Sequence, residues 1–573
     1  MDMMTRIATL TAECLASTWP EAAGLPAADE IRGLLAVPPD REMGDYAFPV
    51  FRLAKALRMA PPMIAKSLCE AWNHPEVARV EPVNGYMNFF LNRVNFAKET
   101  LDKVLEMGEK YGSSEMGKGK TVCLDYSSIN IAKRFGVGHL STTMIGHSLK
   151  RIHDFLGYKT VGINHLGDWG TQFGKMIYAY KTWGSKEEVE EKGITEMMRL
   201  YVKFHEEAEK DPSLEDEGRA WFKKIEDGDE EARAIWNWFK DITLKDASRV
   251  YELLGVEFDS YAGESFYMDK MDVVIDELRE KNLLTISQGA SVVDLEEDKM
   301  PPCIILRSDG ATLYHTRDLA AAVYRKNVYD FDKCLYVVAY QQDLHFRQLF
   351  KVLEKMEKPW AKDCVHVSFG MISFEGQAFS TRKGRVVYLE DVLNQAMQKA
   401  LDIINEKSPN LPNKEEVARQ VGIGAVIYSD LSNGRIKDID FSFERALNFD
   451  GETGPYVQYT HARCCSVLRK AVAAELPAEY DVNGLADDEA QHLLRLLSRF
   501  PDVVKEAADK YEPSMITRAV TDIAQGYNKF YYEHRVLDAE PGVAAARVAL
   551  TKAVKDVITT GLWLIGIEAP ERM

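Results

Sequence analysis

The stretch DYSSINIAKRFGVGHL at residues 125–140 gathers groups suited to phosphate chemistry. Gly136 and Gly138 carry no side chain, so the backbone there can approach a ligand closely. His139 stands at the expected start of a helix, where unpaired N–H groups and the positive end of the dipole attract an anion. It can itself donate to phosphate oxygens. Asp125 ends the preceding strand, the position at which doubly wound sheets bind ligands. A nucleotide phosphate fits this arrangement. Taken alone, the stretch also reads as a strand-to-helix turn that binds nothing.

The elements around it must hold those groups in place. TVCLDY at 121–126 reads as a short strand. HLSTTMIGHSLKRIHDFLG then reads as an amphipathic helix, with Leu140, Met144, Leu149, Ile152 and Phe155 on one side. KTVGIN at 159–164 is a second strand. Strand, loop, helix and strand make half of a doubly wound nucleotide-binding fold. The sheet resumes at KCLYVVAY (333–340) and CVHVSFGMISF (364–374). Two insertions interrupt it: a charged helical one near 183–245, read as a solvated face, and a β-rich one near 280–313.

Residues 1–115 form a separate small module. Val50, Phe51, Leu53, Ala54 and Leu57 recur at helical spacing, and VEPVNGYMNFFLN alternates as a strand pair turning at Asn84–Gly85. The catalytic region is placed at 118–395. Residues 396–573 are expected to be an all-helical bundle.

At 573 residues, several domains are expected. A 46% hydrophobic share supplies enough apolar material for several cores. No apolar run is long enough to span a membrane, and the N-terminus does not read as a signal peptide. The eight cysteines are scattered without a CxxC pair, as in a reduced cytoplasmic protein, and no Cys/His cluster suggests zinc or another bound metal. A net charge of −18 opposes nonspecific nucleic-acid binding but leaves room for a local basic surface.

Longer strings narrow the class. DYSSINIAKRFGVGHL, NHLGDWGTQFG (164–174), YHTRDLAAA (314–322), YVVAYQQDLHFRQLF (336–350) and FSTRKGRVVYLEDVL (379–393) occur in that order. DLSNGRIKDIDFSFERALNFDGETGPYVQYTHARCCSVLRK follows at 430–470. GDYAFPVFRLAKALR and NGYMNFFLN stand upstream. Together they resemble the arginyl-tRNA synthetase family of class I aminoacyl-tRNA synthetases. The resemblance implies a multidomain α/β chain: a class I Rossmann-type parallel-sheet domain with insertions, a small α+β N-terminal domain contacting the tRNA elbow, and an all-α anticodon-binding bundle. It implies that ATP, with Mg2+ carried on the nucleotide, and L-arginine give arginyl-adenylate. The arginyl group then passes to its tRNA, which must be bound for activation. The family expectation is a monomer.

Roles follow residue by residue. A guanidinium wants carboxylates and oxygens in bidentate reach. Asp125, Tyr314 and Asp318 match the family's positions around it, and Asn130 and Gln342 those at the polar end of the amino acid. Phe135, Gly136, Gly138, His139, Ser380 and Thr381 match the ATP site; Lys133, His139, Arg382 and Lys383 would stabilise the triphosphate in the transition state. In the bundle, Arg435, Lys437, Arg463, Arg469 and Lys470 are expected on tRNA phosphates, and Tyr456, Gln458, Tyr459 and Tyr527 on bases.

Two positions depart from the family. Gly136 replaces the first histidine of the H-x-G-H signature, and Arg134 replaces a proline. Loss of one preorganised donor costs about 10²–10³ in rate. The departures suggest an active enzyme in which Arg134 or another side chain compensates, an active but impaired enzyme, or a weakened paralogue that binds tRNA and arginine with little activation.

Overall fold

A computed structural model describes residues 3–38, 40–374 and 387–573. The chain divides into two compact units. The first comprises Met1–Gly112, Thr460–Val503 and Ala519–Thr560. Its sheet holds β1 (Tyr46–Pro49), β2 (Val77–Val83) and β3 (Tyr86–Leu91), ordered β1-β3-β2 and antiparallel throughout. The β2–β3 turn falls at Asn84 and Gly85, with φ of 50° and 86°, the left-handed pair that a tight hairpin requires. Within this unit Arg93 pairs with Asp488 at 2.8 Å and Arg495 with Asp45 at 2.6 Å.

The second unit comprises Ser113–Tyr459, Val504–Arg518 and Gly561–Met573. Its strands are β4 (Thr121–Asp125), β5 (Lys159–Ile163), β6 (Leu284–Ser287), β7 (Ala290–Val293), β8 (Cys303–Leu306), β9 (Lys333–Tyr336), β10 (Cys364–His366), β11 (Ile372–Phe374) and β12 (Ile439–Phe441). The central sheet runs β10-β9-β4-β5, and every pair in it is parallel. From β4 the chain crosses through helix Leu140–Phe155 to β5, and later returns on the other side of β4 as β9. The strand order therefore reverses between β4 and β9. At such a reversal doubly wound sheets bind ligands in a crevice at the carboxyl ends of the strands. The register also aligns Cys123, Cys334 and Cys364 across three adjacent strands, all buried.

The insertions have the expected character. Helices Lys186–Lys192, Ile194–Lys210, Leu214–Asp227 and Glu230–Leu254 fill the charged region, and β6, β7 and β8 form an antiparallel sheet. In the region read as wholly helical the structure adds β12, which pairs in parallel with β11. Its three residues are too few for a two-residue period to declare itself.

Helix Leu140–Phe155 is fastened at its first turn. Thr142 Oγ1 donates to Val337 O at 2.7 Å and accepts from Ser127 N at 3.0 Å, so one side chain joins both lips of the crevice. Ser141 Oγ donates to Asp430 Oδ1 at 2.6 Å. Asp430 is buried, and its Oδ2 has no hydrogen-bond partner among the described residues. Burial raises its pKa to about 6, against an ordinary 3.8. A folded-state pKa raised in this way favours folding below the unfolded value, and that advantage is lost as pH climbs through 6. At about 1.4 kcal/mol per unit, the rise of about two units is a penalty of about 3 kcal/mol at neutral pH. Asp430→Asn is therefore expected to raise the melting temperature at pH 7.5 and not at pH 4. An equal gain at both values contradicts this.

Candidate active site

The loop between β4 and helix Leu140–Phe155 is held in an unusual backbone. Ser127, Ser128 and Ala132 have φ of 69°, 48° and 63°, left-handed values that cost non-glycine residues free energy. Hydrogen bonds enforce them. Ser127 Oγ lies 2.8 Å from Tyr251 Oη, Ser128 Oγ donates to Asp125 Oδ1 at 2.8 Å, and Ala132 N donates to Thr243 Oγ1 at 3.0 Å. Asn130, exposed, forms a single parallel bridge with Gly167. A Cβ on Gly167 would lie 2.3 Å from Asn130 Oδ1, so only glycine leaves that amide in place. Gly167→Ala is expected to turn Asn130 aside and raise the arginine KM about tenfold, the effect of losing one charge-assisted hydrogen bond. An unchanged KM in amino-acid titrations excludes that role.

Further along the loop, Phe135 is buried against Tyr251 and His139. Gly136 pairs with Tyr388 as an isolated antiparallel bridge, at φ −81° and ψ 155°. Gly138 is exposed, with open space where a Cβ would stand. His139 is half-buried, and its Nδ1 lies 3.3 Å from Gly136 O. A carbonyl only accepts, so Nδ1 carries the proton and Nε2 is bare in the neutral ring. Burial lowers its pKa, with Lys133 adding to the effect against that hydrogen bond. Lys133 is half-buried. Arg134 lies over the Tyr388 ring at 3.9 Å and 3.6 Å from Glu390. Its guanidinium thus rests on the start of helix Leu389–Lys407. Ser380, Thr381, Arg382 and Lys383 lie outside the described residues.

Beside the crevice, Asp125 is already paired. Arg325, fully buried on helix Tyr314–Tyr329, donates to its Oδ2 at 2.8 Å. Burial pulls the Arg325 pKa down, but Asp125, with smaller contributions from Tyr267, Tyr336 and Cys334, holds it well above the ordinary value. An internal guanidinium therefore already shares the carboxylate that the resemblance places on the substrate guanidinium. The signal was present in sequence: Arg325 lies seven residues beyond Asp318, on one helix face and among the apolar residues of LAAAVY, so it needed a buried partner. The pair continues outward. Arg325 Nη2 is 3.5 Å from His165 Nδ1, and His165 Nε2 is 3.8 Å from Asp318 Oδ1.

Asp318 keeps a partly exposed carboxylate. His345 Nε2 donates to its Oδ2 at 2.7 Å. Burial pushes its pKa up, yet the His345 hydrogen bond and the nearby His165 and Arg325 outweigh burial and hold it below the ordinary value. Tyr314 opens the same helix with its ring exposed, and Gln342 is exposed in the short turn Tyr340–Gln342 after β9. The motif NHLGDWG contributes a hub that sequence reasoning passed over. Asp168, fully buried, accepts from Lys240 Nζ at 2.6 Å, Ser265 N at 2.9 Å and Ser265 Oγ at 2.7 Å.

Several expected tRNA contacts are placed elsewhere. Gln458 is fully buried and its Nε2 donates to Gln420 O and Glu568 O, and Tyr527 is fully buried with its hydroxyl on Thr551, so neither reaches a base. Arg435 donates to the backbone carbonyls of Tyr511 and Ser368, which removes it from phosphate binding. Lys437, Tyr459, Arg469 and Lys470 are exposed; Tyr456 is half-buried, and Arg463 donates to Asn528 and lies over Tyr531.

The reversed parallel sheet, the bent glycine loop and the histidine at the helix start define a nucleotide-binding domain of the class I aminoacyl-tRNA synthetase type. A family model for the catalytic domain of class I tRNA synthetases (R) matches residues 100–443. Models for the arginyl-tRNA synthetase N-terminal domain and the DALR anticodon-binding domain match residues 7–91 and 457–573. The chain belongs to the arginyl-tRNA synthetase family. It is 55% identical to the arginine–tRNA ligase of Alkaliphilus metalliredigens over 545 residues, covering 95% of this chain and 96% of that one. The arginine–tRNA ligase of Clostridioides difficile is 55% identical over 546 residues, with the same coverage. The solved arginyl-tRNA synthetase of Thermus thermophilus superposes with a TM-score of 0.81 at 26% identity, covering 98% of this chain and 99% of that one. These relatives lend no support to a weakened paralogue.

Proposed function

We propose that this chain joins L-arginine to its cognate tRNA at the expense of ATP, through arginyl-adenylate, and that activation waits for the tRNA. The observation that carries this is Asp318, a carboxylate held charged and half-open beside the β4–β9 crevice. The substrate guanidinium pairs with it bidentately, and Tyr314 walls the pocket. Asn130 and Gln342 take the polar end of the amino acid. Asp125 acts at one remove, through the charge it anchors on Arg325.

ATP lies over Phe135, Gly136, Gly138 and His139, with Ser380 and Thr381 as further contacts. Mg2+ arrives on the triphosphate. His139 Nδ1–H stays on Gly136 O, so donation to phosphate comes from Nε2 once the anion raises the ring's pKa. Lys133, Arg382 and Lys383 supply the remaining positive charge. Activation then needs charge stabilisation, and transfer to the ribose mainly positioning. Lys437, Tyr456, Tyr459 and Arg463 remain for the tRNA. The chain acts as a cytoplasmic monomer; no described helix is long and apolar enough to cross a membrane.

Arginine-dependent pyrophosphate exchange, with and without tRNA, tests the proposal, together with charging of tRNA by arginine against lysine. Exchange that needs tRNA and charging by arginine alone are expected. Tight tRNA binding without exchange overturns it.

A further inference from the structure

We propose that His345 is a positioning residue for arginine recognition: its imidazole, hydrogen-bonded to one carboxylate oxygen, fixes the plane of the Asp318 carboxylate for a substrate guanidinium. This rests on the assignment of Asp318 to the substrate guanidinium. His345 is the third residue of helix Asp343–Lys355, and its Nε2 lies 2.7 Å from Asp318 Oδ2. The carboxylate accepts, so Nε2 carries the proton. Nδ1 is buried and has no hydrogen-bond partner among the described residues.

The neighbouring rings hold the imidazole in place. The His315 ring stands 4.2 Å from the His345 ring, centroid to centroid, and is itself buried, with its pKa lowered to about 4 by burial and by His345. Phe346 and Tyr314 pack against His345 at 5.1 and 5.3 Å. The imidazole therefore has one rotamer and one tautomer. The hydrogen bond from Nε2 orients one oxygen of the carboxylate.

The other oxygen is left available. Oδ1 faces His165 Nε2 at 3.8 Å, too far for a hydrogen bond. An arginine side chain offers two parallel N–H groups and gains from a carboxylate whose plane is fixed. A lysine ammonium is a point charge and gains little from it. The contribution of His345 should consequently fall on affinity for arginine and on its preference over lysine, and not on ATP.

The test compares four variants in tRNA-dependent pyrophosphate exchange, each with a thermal melt. His345→Leu removes the donor, and the arginine KM is expected to rise 10- to 100-fold, with the ATP KM and kcat within threefold. His345→Gln can return an N–H near the Nε2 position and is expected within threefold of the parent for arginine. His345→Asn keeps a polar group of similar volume but draws its N–H back from Asp318, so it should behave like the leucine variant even if the latter melts early. Asp318→Asn is expected to exceed all three in arginine KM. If Asp318→Asn raises the arginine KM while His345→Leu and His345→Asn leave it unchanged, His345 does not position the carboxylate. Equal losses in the glutamine, asparagine and leucine variants, spread over ATP and arginine alike, also overturn the inference and leave only packing. An unchanged arginine KM in Asp318→Asn removes the assignment of Asp318 itself, and the inference with it.

Discussion

Arg325→Met is expected to destabilise the catalytic unit by about 3–5 kcal/mol, the usual result of leaving one member of a buried ion pair behind. Asp125 would remain with almost no exposure and without its 2.8 Å partner. Methionine has about the right length, so the loss is electrostatic more than steric. The same change should reduce arginine-dependent exchange by at least about 10²-fold, because β4 and the outward chain through His165 to Asp318 lose their anchor. The double variant Asp125→Asn/Arg325→Met separates the two effects. It removes the unpaired charge and should regain most of the stability in urea or thermal unfolding, while exchange stays low. A single variant as stable as the parent would show that the pair is not what fixes the end of β4.

The second large effect belongs to His139. His139→Ala is expected to lower the maximal exchange rate about 10²–10³-fold, with the arginine KM little changed, because the ring acts on phosphate charge that grows in the transition state. Gly136→His runs the other way. The backbone at φ −81° and ψ 155° is open to any residue, so the variant should fold as the parent does. With Arg134 held by Tyr388 and Glu390, a histidine at 136 adds a phosphate donor, and exchange should rise about tenfold. No rise in single-turnover rates would mean that another group already supplies the donation.

What the sequence made legible follows from how local each signal is. The β4–helix–β5 unit, the Asn84–Gly85 hairpin and the two insertions rest on periodicity and turn chemistry within a dozen residues or so, and the structure matches them. The class of site followed from glycine spacing and the long ordered motifs. Partners far apart in sequence were not legible. Arg325 meets Asp125 across 200 positions, Ser141 meets Asp430 across 289, and no local pattern announces either pairing. Burial misled in a related way. Gln458 and Tyr527 have the chemistry of base contacts, but helix packing turned them inward, where an amide or phenol serves the backbone or a neighbouring hydroxyl instead. Arg435 shows the same for charge: a guanidinium near a helix end can spend itself on carbonyls before any phosphate arrives.

The row of Cys123, Cys334 and Cys364 gives the sheet a built-in clock. Alkylation needs a thiolate and a path to it. Burial raises the pKa of all three, Cys334 to about 11, so each stays protonated and shielded while β4, β9 and β10 remain paired. Labelling by a small alkylating reagent must therefore wait for those strands to part. A substrate held in the crevice stabilises the closed sheet in proportion to its occupancy. The labelling rate, followed by mass spectrometry at rising arginine or ATP, thus reports ligand affinity from inside the core, without catalysis and without an added probe.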